Sequence, residues 1–86
     1  SKTKETFEIQ VPGAKEFVIY FSRFETEKNY DTLSLLDKNG AVLAKMSGSN
    51  NDTFSVNITG NYVKLVLQSD ESVEGYGFEA TKVHFR

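Results

Sequence analysis

A chain of 86 residues makes one domain, and folding at that size buries only about 60–65% of the surface the unfolded chain exposes, so the core is small. Seven Phe and four Tyr beside one Met and no Trp favour sheets over helices. A net charge of -2 excludes the basic patch that nucleic acid demands and the polybasic segment of a membrane-surface protein, and no apolar run approaches the roughly 20 residues that span a bilayer.

Cysteine is absent, so the disulfides on which small secreted domains often rely, each contributing about 2–4 kcal/mol, have no counterpart here. With no initiator Met and no signal-like segment, residues 1–86 read as a mature product or an excised domain, and the polar residues 1–5 as a frayed end or linker remnant.

Ordered structure is expected from Thr6. Phe7, Ile9 and Val11 alternate with Glu8 and Gln10, the period of a half-buried strand, and Pro12-Gly13 ends it. Residues 16–24 place Phe17, Ile19 and Phe21 on one face and Val18, Tyr20, Ser22 and Phe24 on the other; apolar on both faces, this strand is expected at the centre of a sheet. A polar, acidic interruption over 25–31 precedes a short strand at 32–37. Asp37-Lys38-Asn39-Gly40 then signals a hairpin into a partner strand at 41–46, because Asn-Gly suits the positive backbone angles of tight turns.

Residues 47–52 have the Ser, Gly and Asn of a loop. The next strand, 53–58, alternates Phe54, Val56 and Ile58 with Ser55 and Asn57. Residues 62–68 form the most regular strand, setting Val63, Leu65 and Leu67 against Lys64, Val66 and Gln68. After an acidic loop the last strand, 77–85, changes phase: Phe78 and Ala80 share one face, Val83 and Phe85 the other, so a bulge or bend is expected near Thr81-Lys82. Seven to eight short strands joined by turn signals describe an all-β antiparallel sandwich with no helix longer than two turns.

Four motifs occur in a telling order. Residues 24–27 read F-x-x-E, Tyr30-Asp31 reads Y-D ahead of an apolar strand, residues 43–48 read L-x-x-x-x-G, and residues 69–73 read S-D-x-S-V, followed by G-F-x-A at 77–80. Together they resemble the CUB domain, a family of extracellular β-sandwich modules with a jelly-roll topology, over about residues 16–80. Many members carry cysteines where this chain has Lys28 and Ser47, so the likeness is to a cysteine-free microbial member.

The resemblance implies a calcium site. Its ligands would be Glu27, Asp31 and Asp70, with the Ser72 carbonyl and waters completing the shell, Tyr30 orienting a carboxylate, and Glu25 and Glu71 as additional or alternative groups. Calcium takes about 6–8 oxygens, and carboxylates gathered from separate loops suit it. Where the family offers an Asn shortly after the Ser, this chain has Val73. The resemblance also implies that Phe78 and Ala80 point into the core.

Catalysis finds little support, since His84 is the only histidine and no thiol is present. The expected function is therefore that of a non-catalytic, calcium-binding module of a larger secreted protein such as an extracellular protease. It would stabilise the parent polypeptide or bind a protein partner through a Lys or Arg at the calcium site. The alternatives are a carbohydrate-binding module that uses Tyr62 or Tyr76 as stacking surfaces, and a structural spacer.

Overall fold

The computed structural model describes residues 3–26, 31–69 and 77–86. They form eight strands and no helix: β1 (Thr3–Gln10), β2 (Glu16–Glu25), β3 (Thr32–Leu36), β4 (Val42–Met46), β5 (Thr53–Phe54), β6 (Ile58–Thr59), β7 (Tyr62–Ser69) and β8 (Gly77–Phe85). One antiparallel sheet has the order β1-β7-β3-β4. In the other, β8 lines one edge of β2, while β5 and β6 follow one another along its opposite edge. The β-sandwich and the central place of β2 are as expected.

The inward faces of the two sheets meet in a core of Phe17, Ile19, Phe21, Phe24, Leu33, Leu35, Ile58, Val63 and Leu65, with Ile9, Met46, Leu67, Phe78 and Val83 packed around it. Strict alternation places Phe24 opposite Phe21, yet both rings are fully buried, 5.7 Å apart and edge to face. The cause is a bulge. Phe21 pairs with Ala80 and Arg23 with Glu79, which leaves Ser22 as an extra residue that reverses the side-chain phase of β2.

The bulge expected in β8 is present: Tyr20 pairs with Lys82 and Phe21 with Ala80, so Thr81 is the extra residue. Phe78 accordingly packs on the core, as the G-F-x-A motif implies, but Ala80 is exposed on this edge strand.

Three further expectations change. β1 begins at Thr3, because Thr3, Lys4 and Glu5 pair with Ser69, Gln68 and Leu67 rather than fraying. The predicted strand at 53–58 divides into β5 and β6 around Ser55, whose hydroxyl accepts the Ile19 N–H at 2.9 Å and donates to the Val56 carbonyl at 2.8 Å. Ser55 is therefore buried, while Phe54 and Val56 face outward, 55% and 48% exposed. At the β3–β4 hairpin only Gly40 takes a positive φ, 87°. The Asp37 carboxylate accepts the Asn39 and Ala41 N–H groups, both at 2.9 Å, and the Gly40 N–H donates to the Asp37 carbonyl, so this is a three-residue turn closed by glycine.

Candidate functional site

Strand ends converge at one end of the sandwich. There Glu25 pairs with Gly77 across β2 and β8, Thr32 with Gln68 across β3 and β7, and Thr3 with Ser69 across β1 and β7. These residues flank both acidic segments singled out in the sequence.

The end of β2 is held to the loop after β4 by a set of bonds that the sequence reading missed. Thr26 is 5% exposed, and its hydroxyl accepts the Gly48 N–H at 2.8 Å while its own N–H donates to the Gly48 carbonyl at 3.0 Å. Gly48 meets this geometry with a φ of 86°, a conformation that side chains disfavour. The Asn51 side-chain oxygen accepts the Phe24 N–H at 2.8 Å, and the Asn50 N–H donates to the Phe24 carbonyl. No periodic signal marks Thr26 or Asn51, because both act on backbone groups distant in the chain. Their effect is to fasten the end of β2 to the loop after β4.

Asp31 lies immediately before β3 and is only 3% exposed. A carboxylate so far removed from water needs a cation or hydrogen-bond donors to hold its charge. Continuing the β3–β7 register from the pairing of Thr32 with Gln68 sets Asp31 beside Ser69, the residue that Asp70 follows in the chain. Neighbouring strands lie about 4.8 Å apart, so this register sets the Asp31 of Y-D next to the Ser69 of S-D.

Of the predicted ligands Asp31 is the one whose position is described; Glu27, Asp70 and Ser72, with Tyr30 and Glu71, lie outside the described residues. Glu25 is described, and its Oε1 accepts from Arg23 Nε at 3.0 Å, with both side chains partly exposed. Among the described residues alone, no three His, Cys, Asp or Glu side chains gather as a metal site. The donor set implied by the sequence is all oxygen, and a buried carboxylate at the strand junction fits a hard cation of the calcium type.

Elsewhere, Tyr62 is half-buried and its hydroxyl donates to Glu8 Oε2 at 2.6 Å, which ties down a ring proposed for stacking; Tyr76 lies outside the described residues. The outer face of the β2 sheet instead carries Tyr20 against Phe54, 5.2 Å between centroids, and Phe54 against His84, 5.7 Å. His84 is thus an exposed strand residue. The Tyr20 hydroxyl donates to the Asp52 carboxylate, which raises the tyrosine pKa above its ordinary value, with a smaller contribution from burial.

No helix among the described residues is long and apolar enough to cross a membrane. The CUB domain family model matches residues 1–81, which contain all four sequence motifs and every predicted ligand. Modules of this family are generally non-catalytic, mediate protein–protein interactions and are typically extracellular. With the two antiparallel sheets, the convergent strand ends and this match over nearly its whole length, the chain belongs to the CUB domain family.

Proposed function

We propose that this CUB domain is a calcium-organised protein-binding module, appended to a larger secreted protein such as an extracellular protease. The observation that carries the reading is Asp31: a carboxylate 3% exposed, set at the strand junction beside the residue that precedes Asp70. Glu27, Asp31 and Asp70 would supply carboxylate oxygens and Ser72 a carbonyl oxygen, while Tyr30 would orient one carboxylate through its hydroxyl. Bound calcium would offset the repulsion among these acids. The carboxylates then present a fixed acidic patch to a Lys or Arg of the partner, a charge-assisted contact that salt weakens.

The test is a thermal melt with and without calcium. Calcium, and not magnesium, is expected to raise the midpoint; Asp31→Ala and Asp70→Ala should each remove the rise, and Glu71→Ala should retain it. A midpoint indifferent to calcium in the wild type, or a rise intact in both Asp variants, overturns the assignment. A basic peptide retained by the calcium-loaded domain and released by chelator would extend the reading to the partner.

A further inference from the structure

We propose that β1 pairs edge to edge with β1 of a second copy of this chain, joining two four-stranded sheets into one of eight strands. Among the described residues β4 is interrupted by a bulge at Leu43, since Leu36 pairs with Val42 and Leu35 with Ala44. β8 carries the bulge at Thr81, and β5 and β6 are two residues each. Bulges and short strands are two of the devices by which proteins keep sheet edges from recruiting other chains, charged side chains being another. β1 has neither: it is eight residues long, contains no proline, and pairs with β7 without a register shift.

The order of residues along β1 makes that edge complementary to itself. A two-fold axis through Thr6, with the strands antiparallel, sets Lys4 opposite Glu8 of the second copy, Glu8 opposite its Lys4, and Thr6 opposite its Thr6. Lys4, Thr6 and Glu8 share the outer face, because Phe7 and Ile9 pair with the buried Leu65 and Val63 on the inner one. Opposite charges and Thr–Thr pairs are favourable directly across strands, and like charges are not.

The inner face agrees. The same axis sets Phe7 of the second copy opposite Glu5. Glu5 lines a hollow of about 250 Å³ with Phe7, Leu67, Gly77 and Phe78, so the incoming ring meets a recess of mixed polarity beside the Phe7–Phe78 pair. Phe7 is 41% exposed in the single chain, and pairing would cover it. Because the contact is isologous, it closes at two copies instead of propagating.

Sedimentation equilibrium over a wide concentration range tests the proposal. Wild-type protein should approach twice its 9.7 kDa mass as concentration rises, with weaker association in high salt. Lys4→Glu and Glu8→Lys, each confirmed as folded by circular dichroism, should each associate at least tenfold more weakly alone, since each places like charges across the axis. An equimolar mixture of the two should recover association, because every cross-strand charge pair is again opposite. Wild-type protein that stays monomeric throughout, single variants that associate like wild type, or a mixture that fails to recover would each overturn the pairing.

Discussion

Asp31 is the most buried of the polar side chains among the described residues. Its 3% exposure means that a charge has been withdrawn from water, and withdrawal is tolerated only when a cation or several donors replace the lost hydration. Asp31→Asn keeps the shape and removes the charge, so it separates the two uses of the side chain. In calcium-free buffer the substitution should leave the thermal midpoint near that of the wild type, whereas in calcium the rise should be lost. The magnitude is easy to read: saturation a hundredfold above the dissociation constant adds about 2.7 kcal/mol. At about 4–8 °C per kcal/mol for a domain of this size, that exceeds ten degrees. Tyr20 offers a second residue-scale prediction, independent of any metal. Its hydroxyl donates to the Asp52 carboxylate, and deprotonation would break that bond and set two negative charges together, so its pKa lies above the ordinary value of 10.0. The folded state therefore holds the proton more tightly than the unfolded one. The stability this contributes is whole below the ordinary value and is lost as pH rises through the raised one. Tyrosinate absorbance should show both Tyr20 and Tyr62, whose hydroxyl donates to Glu8, titrating late, and Asp52→Asn should bring one of the two back toward the ordinary range. A titration unaltered by Asp52→Asn would contradict the assignment.

Between residue and molecule, the informative places are those where an element departs from its own period. Ser55 interrupts what reads as one strand, because its hydroxyl and N–H satisfy the backbone of Ile19 in β2 while Phe54 and Val56 turn outward. Ser55→Ala removes the acceptor and leaves the buried Ile19 N–H unsatisfied, a loss of about 1–3 kcal/mol that chemical denaturation would measure as a lower midpoint with an unchanged slope. A neutral result would mean that the interruption is held by something else. The same comparison explains what was legible in the sequence. Alternation of apolar residues found β3 and β7, apolar residues on both faces found β2, the Asp37–Gly40 turn found β4, and the apolar pattern after the acidic loop found β8, each to within a residue or so. Alternation also found the Thr81 bulge, because a phase change is visible in the strand itself. It failed at Ser22 and Ser55, where a small polar residue satisfies a distant strand, and at Thr3–Glu5, where pairing with β7 orders polar side chains that carry no period. The site was legible to a different degree. Motif order named Asp31, and the β3–β7 register sets it beside Ser69, but Thr26 and Asn51, which fasten the end of β2, act on backbone atoms that no spacing in the sequence points to.

At the scale of the whole molecule the constraint is the size of the core. About 0.05–0.15 kcal/mol per residue gives a chain of this length a stability of about 4–13 kcal/mol, with no disulfide to add to it. Three aromatic rings concentrate much of the burial: Phe21 is fully buried and meets Phe24 at 5.7 Å and Phe78 at 5.8 Å, both edge to face. Phe21 also spans the architecture, since it belongs to the central β2 while Phe78 is on β8 and in turn touches Phe7 of the opposite sheet at 5.5 Å. Phe21→Ala should cost about 3–5 kcal/mol, which takes a domain near the lower end of that range to the edge of unfolding. The proposed calcium increment of about 2.7 kcal/mol would be of the same order as that loss, and it would act at the end of the sandwich where β2 and β8 begin their pairing at Glu25 and Gly77. Phe21→Ala is therefore expected to be largely unfolded in calcium-free buffer and substantially refolded in excess calcium, as read by far-ultraviolet circular dichroism. The double variant Phe21→Ala/Asp31→Asn should stay unfolded in both. If excess calcium refolded the double variant as well as the single one, the rescue would not run through Asp31, and the core would not be coupled to the proposed calcium site.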